Sequence, residues 1–182
     1  FNECSIELNC FPPPIESLAN LQESYEILKF YLNLITPEIK KYGGYVLSHS
    51  QDGIFAVFGD LKSSINCLSI LSKKIEVKSH RSRSFAYIKY RISLIYRPST
   101  FAYDVDNSSL RLVSDEFEQL EKMISACRLI DTICVFDKSV VDQFPLSIKI
   151  GYRLVGTMGI DGRNMSLFEN LDLLPRDRKS VV

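Results

Sequence analysis

The longest hydrophobic period in the chain runs from Ile15 to Tyr42, where Ile15, Leu18, Leu21, Ile27, Leu28, Tyr31, Leu34 and Ile35 recur at helical spacing. Steps of three and four put such residues on one stripe, so the segment is predicted to be one long amphipathic helix. Pro37 is expected to kink it or to start a new turn. Gly43-Gly44 is expected to end it. Ahead of it, "CSIELNC" (residues 4–10) reads as a first strand, broken by the prolines of "FPPP". Behind it, two apolar strands are predicted at roughly 45–50 and 54–58, joined through Asp52-Gly53 as a tight hairpin turn. Asp60 can cap a helix over about 61–77, with Ile65, Leu68, Leu71 and Ile75 inward.

Downstream, "KSHRSRS" reads as a solvated basic connection. "FAYIKYRISLIY" is a long strand with Ile88, Tyr90, Ile92, Leu94 and Tyr96 on one face. A second hairpin is expected, with one arm at about 99–105, the polar "DNSS" turn and then "LRLV". Ser114 can cap a helix whose core face is Phe117, Leu120, Ile124 and Cys127. "TICVF" is a strand and "DKSVVDQF" a short helix. "KIGYRLVGTM" and "NMSLFEN" are two more strands around the turn "GIDGR", and "PRDRKSVV" is expected to be disordered. Hairpins alternating with helices predict an α/β (α+β) fold: a mixed, mainly antiparallel sheet with helices packed on one face. The first part matches a ferredoxin-like βαββαβ core, followed by extra C-terminal strands and helices. One domain is expected over residues 1–171, with 172–182 as a tail, and the start at Phe1 rather than Met reads as a piece of a longer protein.

Composition narrows the function classes. The 182 residues suit one domain with a sizeable core, and 46% hydrophobic with 24% charged residues is ordinary for a globular protein. Lys plus Arg and Asp plus Glu are both 22, which argues against a nucleic-acid binder. No apolar run approaches membrane-spanning length, so any membrane anchor would lie outside this piece. Of five cysteines none forms a CxxC pair, and Cys67 and Cys127 fall in helical apolar patterns as small core residues. A reduced, cytoplasmic setting is expected, as in the cytosolic part of a larger or membrane-anchored protein. His49 and His80 lack zinc-ligand spacing to any cysteine.

The element order, together with "ITPEIKKYGGYVLSHSQDGIFAVFG" and "YRLVGTMGIDGRNMSLFEN", resembles the catalytic domain of class III nucleotidyl (adenylate/guanylate) cyclases over about residues 4 to 171. The resemblance implies a domain that turns ATP or GTP into a cyclic monophosphate and pyrophosphate with two Mg²⁺ (or Mn²⁺) ions held by two carboxylates. Asp52 at the hairpin tip matches one metal ligand. Counting back from Phe11 puts Glu7 at the other, where the family has aspartate. Local chemistry supplies competing readings: Asp52 as a turn residue, and Glu7 as an exposed position at a sheet edge.

The other family positions are altered. Ser48 falls at one base-reading position and Arg111 at the second. "LRLVSDEFEQLEKM" aligns with the stretch that carries the ribose-orienting Asn and the transition-state Arg, which puts Glu118 and Lys122 there. Glu118 brings negative charge towards a triphosphate, and Lys122 lacks the planar fork of arginine. As i and i+4 on a helix, they also read simply as a surface pair. Ser93 and Arg97 stand where the family has glycines, so Arg97 would either block a phosphate or bind one.

The resemblance therefore implies a degenerate cyclase-homology domain, a pseudoenzyme acting as a regulatory, dimerisation or ligand-sensing module in signal transduction. Two alternatives stay open: an active cyclase with an altered site or a complementary partner, and a nucleotide-independent interaction module. The family packs two domains head to tail. A homodimer or a heterodimer with another cyclase-like domain is expected, with Phe101, Tyr103 and Val105 of the hairpin arm towards the partner.

Overall fold

A computed structural model describes residues 2–11, 21–49, 53–81, 89–98, 101–104, 109–112, 116–129, 133–160 and 162–170. In chain order these form β1 (Asn2–Phe11), α1 (Leu21–Lys41), β2 (Gly44–His49), β3 (Gly53–Phe58), α2 (Leu61–Arg81) and β4 (Lys89–Pro98). Then follow β5 (Phe101–Asp104), β6 (Ser109–Leu112), α3 (Glu116–Leu129), β7 (Cys134–Asp137), α4 (Lys138–Asp142), α5 (Leu146–Lys149), β8 (Tyr152–Ile160) and β9 (Arg163–Asn170).

Seven strands make one sheet in the order β2-β3-β1-β4-β7-β9-β8. Its first four strands are antiparallel neighbours and, with α1 and α2, form the ferredoxin-like core expected from the sequence. β7 joins β4 in parallel, and the β8–β9 hairpin closes the far side antiparallel to β7. The arm of β5 and β6 pairs as a separate two-stranded sheet.

The central strands β3, β4 and β7 are buried on both faces, so each presents two core rows. Ile54, Ala56, Phe58, Ile92 and Leu94 pack under α1, α2 and α4, together with Ile35, Leu68, Leu71 and Val140. The alternate residues Phe55, Val57, Ile95 and Val135 pack under α3, against Leu120, Met123 and Cys127. Helices on one face was therefore the wrong expectation: α3 covers the other. Burying the odd-numbered row of β3, β4 and β7 requires that second layer.

Local physics explains the joints. Gly43 ends α1 with φ of 76°, a conformation glycine adopts without a Cβ penalty. At Gly44 a Cβ would lie 2.6 Å from the Phe58 ring, so β2 can approach β3 only through glycine. Asp60 Oδ1 accepts a hydrogen bond from the Ser63 backbone N–H at 2.8 Å and caps α2 as predicted. Gly162 makes the β8–β9 turn with φ of 74°.

Several boundaries differ from expectation. α2 runs on to Arg81 and takes up the first residues of "KSHRSRS". α1 continues through the exposed Pro37 to Lys41, so no new turn starts there. Gly53 belongs to β3, paired with Asn9, rather than to a turn centre. The helix α5 was not foreseen. Cys67 and Cys127 are buried as expected. Burial, and then the nearby Glu38 carboxylate, push the Cys67 thiol up to about 12. Ser114, residues 106–108 of the "DNSS" turn and residues 171–182 lie outside the described residues.

Candidate functional site

The candidate site starts at β4, because β4 holds α3 in place. The Ser93 hydroxyl donates to the Leu120 carbonyl at 3.2 Å, and the Cys127 thiol points to the Ile92 carbonyl at 3.9 Å. Arg97 Nη1 donates to Gln119 Oε1 at 2.5 Å, and Nη2 donates to Asp137 Oδ2 at 3.3 Å. Asp137 is 4% exposed and also accepts from the Ser139 hydroxyl at 2.6 Å. A buried carboxylate needs such partners, since its water shell is gone. The sequence left Arg97 as either blocking or binding a phosphate; in the structure its guanidinium contacts Gln119 and Asp137. Its guanidinium ties α3 to β7, and Ser93 replaces backbone approach with a hydroxyl bond into α3.

With α3 so placed, Glu118 and Lys122 form the predicted i, i+4 pair, Nζ to Oε1 at 2.7 Å, their side chains 62% and 36% exposed. Both border a cleft of about 570 Å³ between α3 and the β8–β9 hairpin. The α3 wall continues through Glu121 and Ser125. The opposite wall includes Thr157 and Met158 of β8, and Leu167 of β9. The sequence placed these β8 and β9 residues in strands, but nothing local linked them to a helix some 35 positions earlier in the chain. Their alternation was the only available signal.

The remaining predicted site residues are distributed as follows. Glu7 lies on β1, paired with Phe55 on β3 and Ser93 on β4. β1 is thus an inner strand, and the reading of Glu7 as a sheet-edge residue is corrected. Asp52 lies outside the described residues, but the strand that begins at the next residue is the hydrogen-bonded neighbour of β1. Ser48 is on β2, paired with Phe55 just after a register shift. Arg111 is on β6, paired with Ala102 in the separate small sheet, which lies near β2. Only Glu118 and Lys122 are brought together by described side chains. Glu7 and Asp52 are both carboxylate residues, the donor type that a hard cation prefers. Among the described residues no group of three or more His, Cys, Asp or Glu side chains is arranged for a metal.

The fold is that of class III adenylyl and guanylyl cyclase catalytic domains. Against a bacterial light-regulated adenylyl cyclase the TM-score is 0.76 at 12% identity, covering 96% of this chain and 53% of that one. The chain thus spans about half the length of that protein. The adenylyl cyclase CyaB from P. aeruginosa gives 0.73 at 15% identity, with 97% and 96% covered. The guanylate cyclase domain of RhGC from Catenaria anguillulae, in complex with GTP, gives 0.69 at 14%, with 92% and 94% covered. No protein-family model and no curated protein matches the chain.

Proposed function

We propose that this chain is a cyclase-homology domain of a signalling protein that does not itself turn over nucleotide, and that it works as a regulatory partner or ligand-sensing module. The observation that carries this reading is the Glu118–Lys122 ion pair on the cleft wall. The resemblance assigns these two positions to ribose orientation and transition-state charge. Here Lys122 is already matched by the Glu118 carboxylate 2.7 Å away. A phosphate oxygen approaching Glu118 to about 5 Å meets a repulsion between about 1 kcal/mol in water and 3 kcal/mol in a half-desolvated cleft. Lys122 offers a point charge without arginine's bidentate fork. Ser48 carries a single hydroxyl that can donate or accept, and so separates adenine from guanine poorly.

Head-to-tail pairing with a second copy or another cyclase-like domain fits this role, since a silent half can support a competent one. Among the described residues no helix is long and apolar enough to cross a membrane. A cytoplasmic setting remains part of the proposal. A second reading, an active cyclase with an altered site, is favoured by the place of Glu7 on an inner strand beside β3. There Glu7 and Asp52 would hold Mg²⁺ or Mn²⁺, which would supply charge for the triphosphate.

The test is an assay of the purified chain with Mg²⁺ or Mn²⁺ and either ATP or GTP, quantifying cyclic AMP and cyclic GMP. Product at background level is expected. Robust turnover by the chain alone overturns the proposal and selects the second reading.

A further inference from the structure

We infer that the cleft between α3 and the β8–β9 hairpin binds an elongated apolar ligand with a cationic head. This inference rests on the ligand-sensing reading above and adds the class of ligand.

The cleft-lining residues on α3 are spaced i, i+3, i+4, i+7, i+8 and i+11 from Glu118 to Leu129, which is one stripe down one face of the helix. At 1.5 Å per residue that stripe is about 16 Å long. Its two ends differ in chemistry. The first turns carry Glu118, Glu121 and Lys122, and the far end carries Ala126 and Leu129. Met158 and Leu167 across the cleft are apolar as well. Leu129 is 88% exposed, so the far end presents uncovered apolar surface.

Charge points to the sign of the head group. Among the described residues the lining holds two carboxylates and one ammonium. Lys122 is paired with Glu118, whereas Glu121 has no ion pair among the described residues. The surrounding sequence, Asp115 to Glu121, adds further acids around the start of α3. A triphosphate is disfavoured there, while an ammonium or amidinium group meets a carboxylate. A volume near 570 Å³ lies in the range of small-molecule sites, which are largely apolar with a few directed polar groups. A partner's helix is bulkier, about 10 Å in diameter with side chains.

The probe pair is auramine O, an apolar cationic dye, and 1-anilinonaphthalene-8-sulfonate, an apolar anionic one, titrated into the full chain at several protein concentrations. Auramine O is expected to bind one per chain and at least tenfold tighter than the anionic dye. Glu121→Gln should weaken auramine O by about tenfold, the order expected for one unit charge at a few ångströms in a half-solvated site. Ser125→Trp, on the exposed wall of the cleft, should abolish binding, and Thr157→Trp does the same from β8. Circular-dichroism melts verify that each variant folds. Equal affinity for both dyes, or binding unchanged in both tryptophan variants, overturns the inference. Dye binding that requires dissociation of a dimer also overturns it and assigns the cleft to a second copy. Cyclic-nucleotide product is measured in the same samples. Turnover would sink the non-catalytic reading while leaving the dye result to stand or fall by itself.

Discussion

Arg97 on β4 reaches Asp137 at the end of β7, Nη2 to Oδ2 at 3.3 Å, while its other terminal nitrogen holds Gln119 on α3. The neighbouring main chain takes part too, since the Tyr96 N–H donates to the Ser139 hydroxyl at 3.3 Å. One arginine thus joins the helix that walls the cleft to the strand and short helix behind it.

Arg97→Ala should cost about 2–3 kcal/mol, because it leaves the buried Asp137 carboxylate with Ser139 as its remaining side-chain partner. Replacing both ends, Arg97→Met with Asp137→Leu, should recover much of that loss. Urea unfolding of the wild type, Arg97→Met, Asp137→Leu and the double variant gives the coupling. A loss below about 0.5 kcal/mol in Arg97→Ala would remove the network from the account of how α3 is held.

Exchanging Glu118→Asn together with Lys122→Arg should tighten nucleotide binding by tenfold or more, since it removes one negative charge and restores a bidentate cation. The exposed pair itself contributes only a few tenths of a kcal/mol, so stability should barely change. Calorimetric titration with a non-hydrolysable ATP or GTP analogue reads the effect. No gain would mean that other residues, such as Ser48 and Arg111, which the resemblance assigns to the base, also close the site.

Asp60 predicts a specific pH dependence. Hydrogen bonds from Ser63, side chain first and then backbone, hold its carboxyl below the ordinary 3.8. A depressed folded-state value means that the stabilisation is full above the unfolded value and is lost as pH falls through the folded one. Asp60→Ala should therefore cost about 1 kcal/mol at pH 6 to 7, as for other helix caps. That gap should shrink as pH is lowered below about 4. Parallel denaturation series of the two proteins at pH 3 to 7 provide the check, and a gap that does not narrow would contradict the capping assignment.

Gly44→Ala should be destabilising by about 1–3 kcal/mol, the usual cost of overpacking a filled core. The new methyl would sit 2.6 Å from the Phe58 ring and 2.7 Å from Ile39 Cγ2, both buried. At Gly43 the space is open but φ is positive, so alanine there meets a backbone penalty of about 1 kcal/mol instead. Thermal melts of the two variants should rank them in that order.

Much of the element order was legible because it is local. Leu68, Leu71 and Ile75 repeat at helical spacing and are all buried, Asp60 carries its cap chemistry in one side chain, and Gly162 marks a turn by its backbone freedom. The pairing of Glu118 with Lys122 was legible for the same reason, being four residues apart on one helix. What tertiary structure decided lies at long range. "ISLI" is apolar or small on both faces of β4, so its sequence does not say which helix covers Ile92 and which covers Ile95. Arg97 finds Asp137 across 40 positions, and the cleft exists only because α3 and the β8–β9 hairpin are carried to the same side of the sheet. Hydrophobic period records whether a residue is buried. It does not record against what, because burial lowers free energy by area removed from water whichever apolar neighbour removes it.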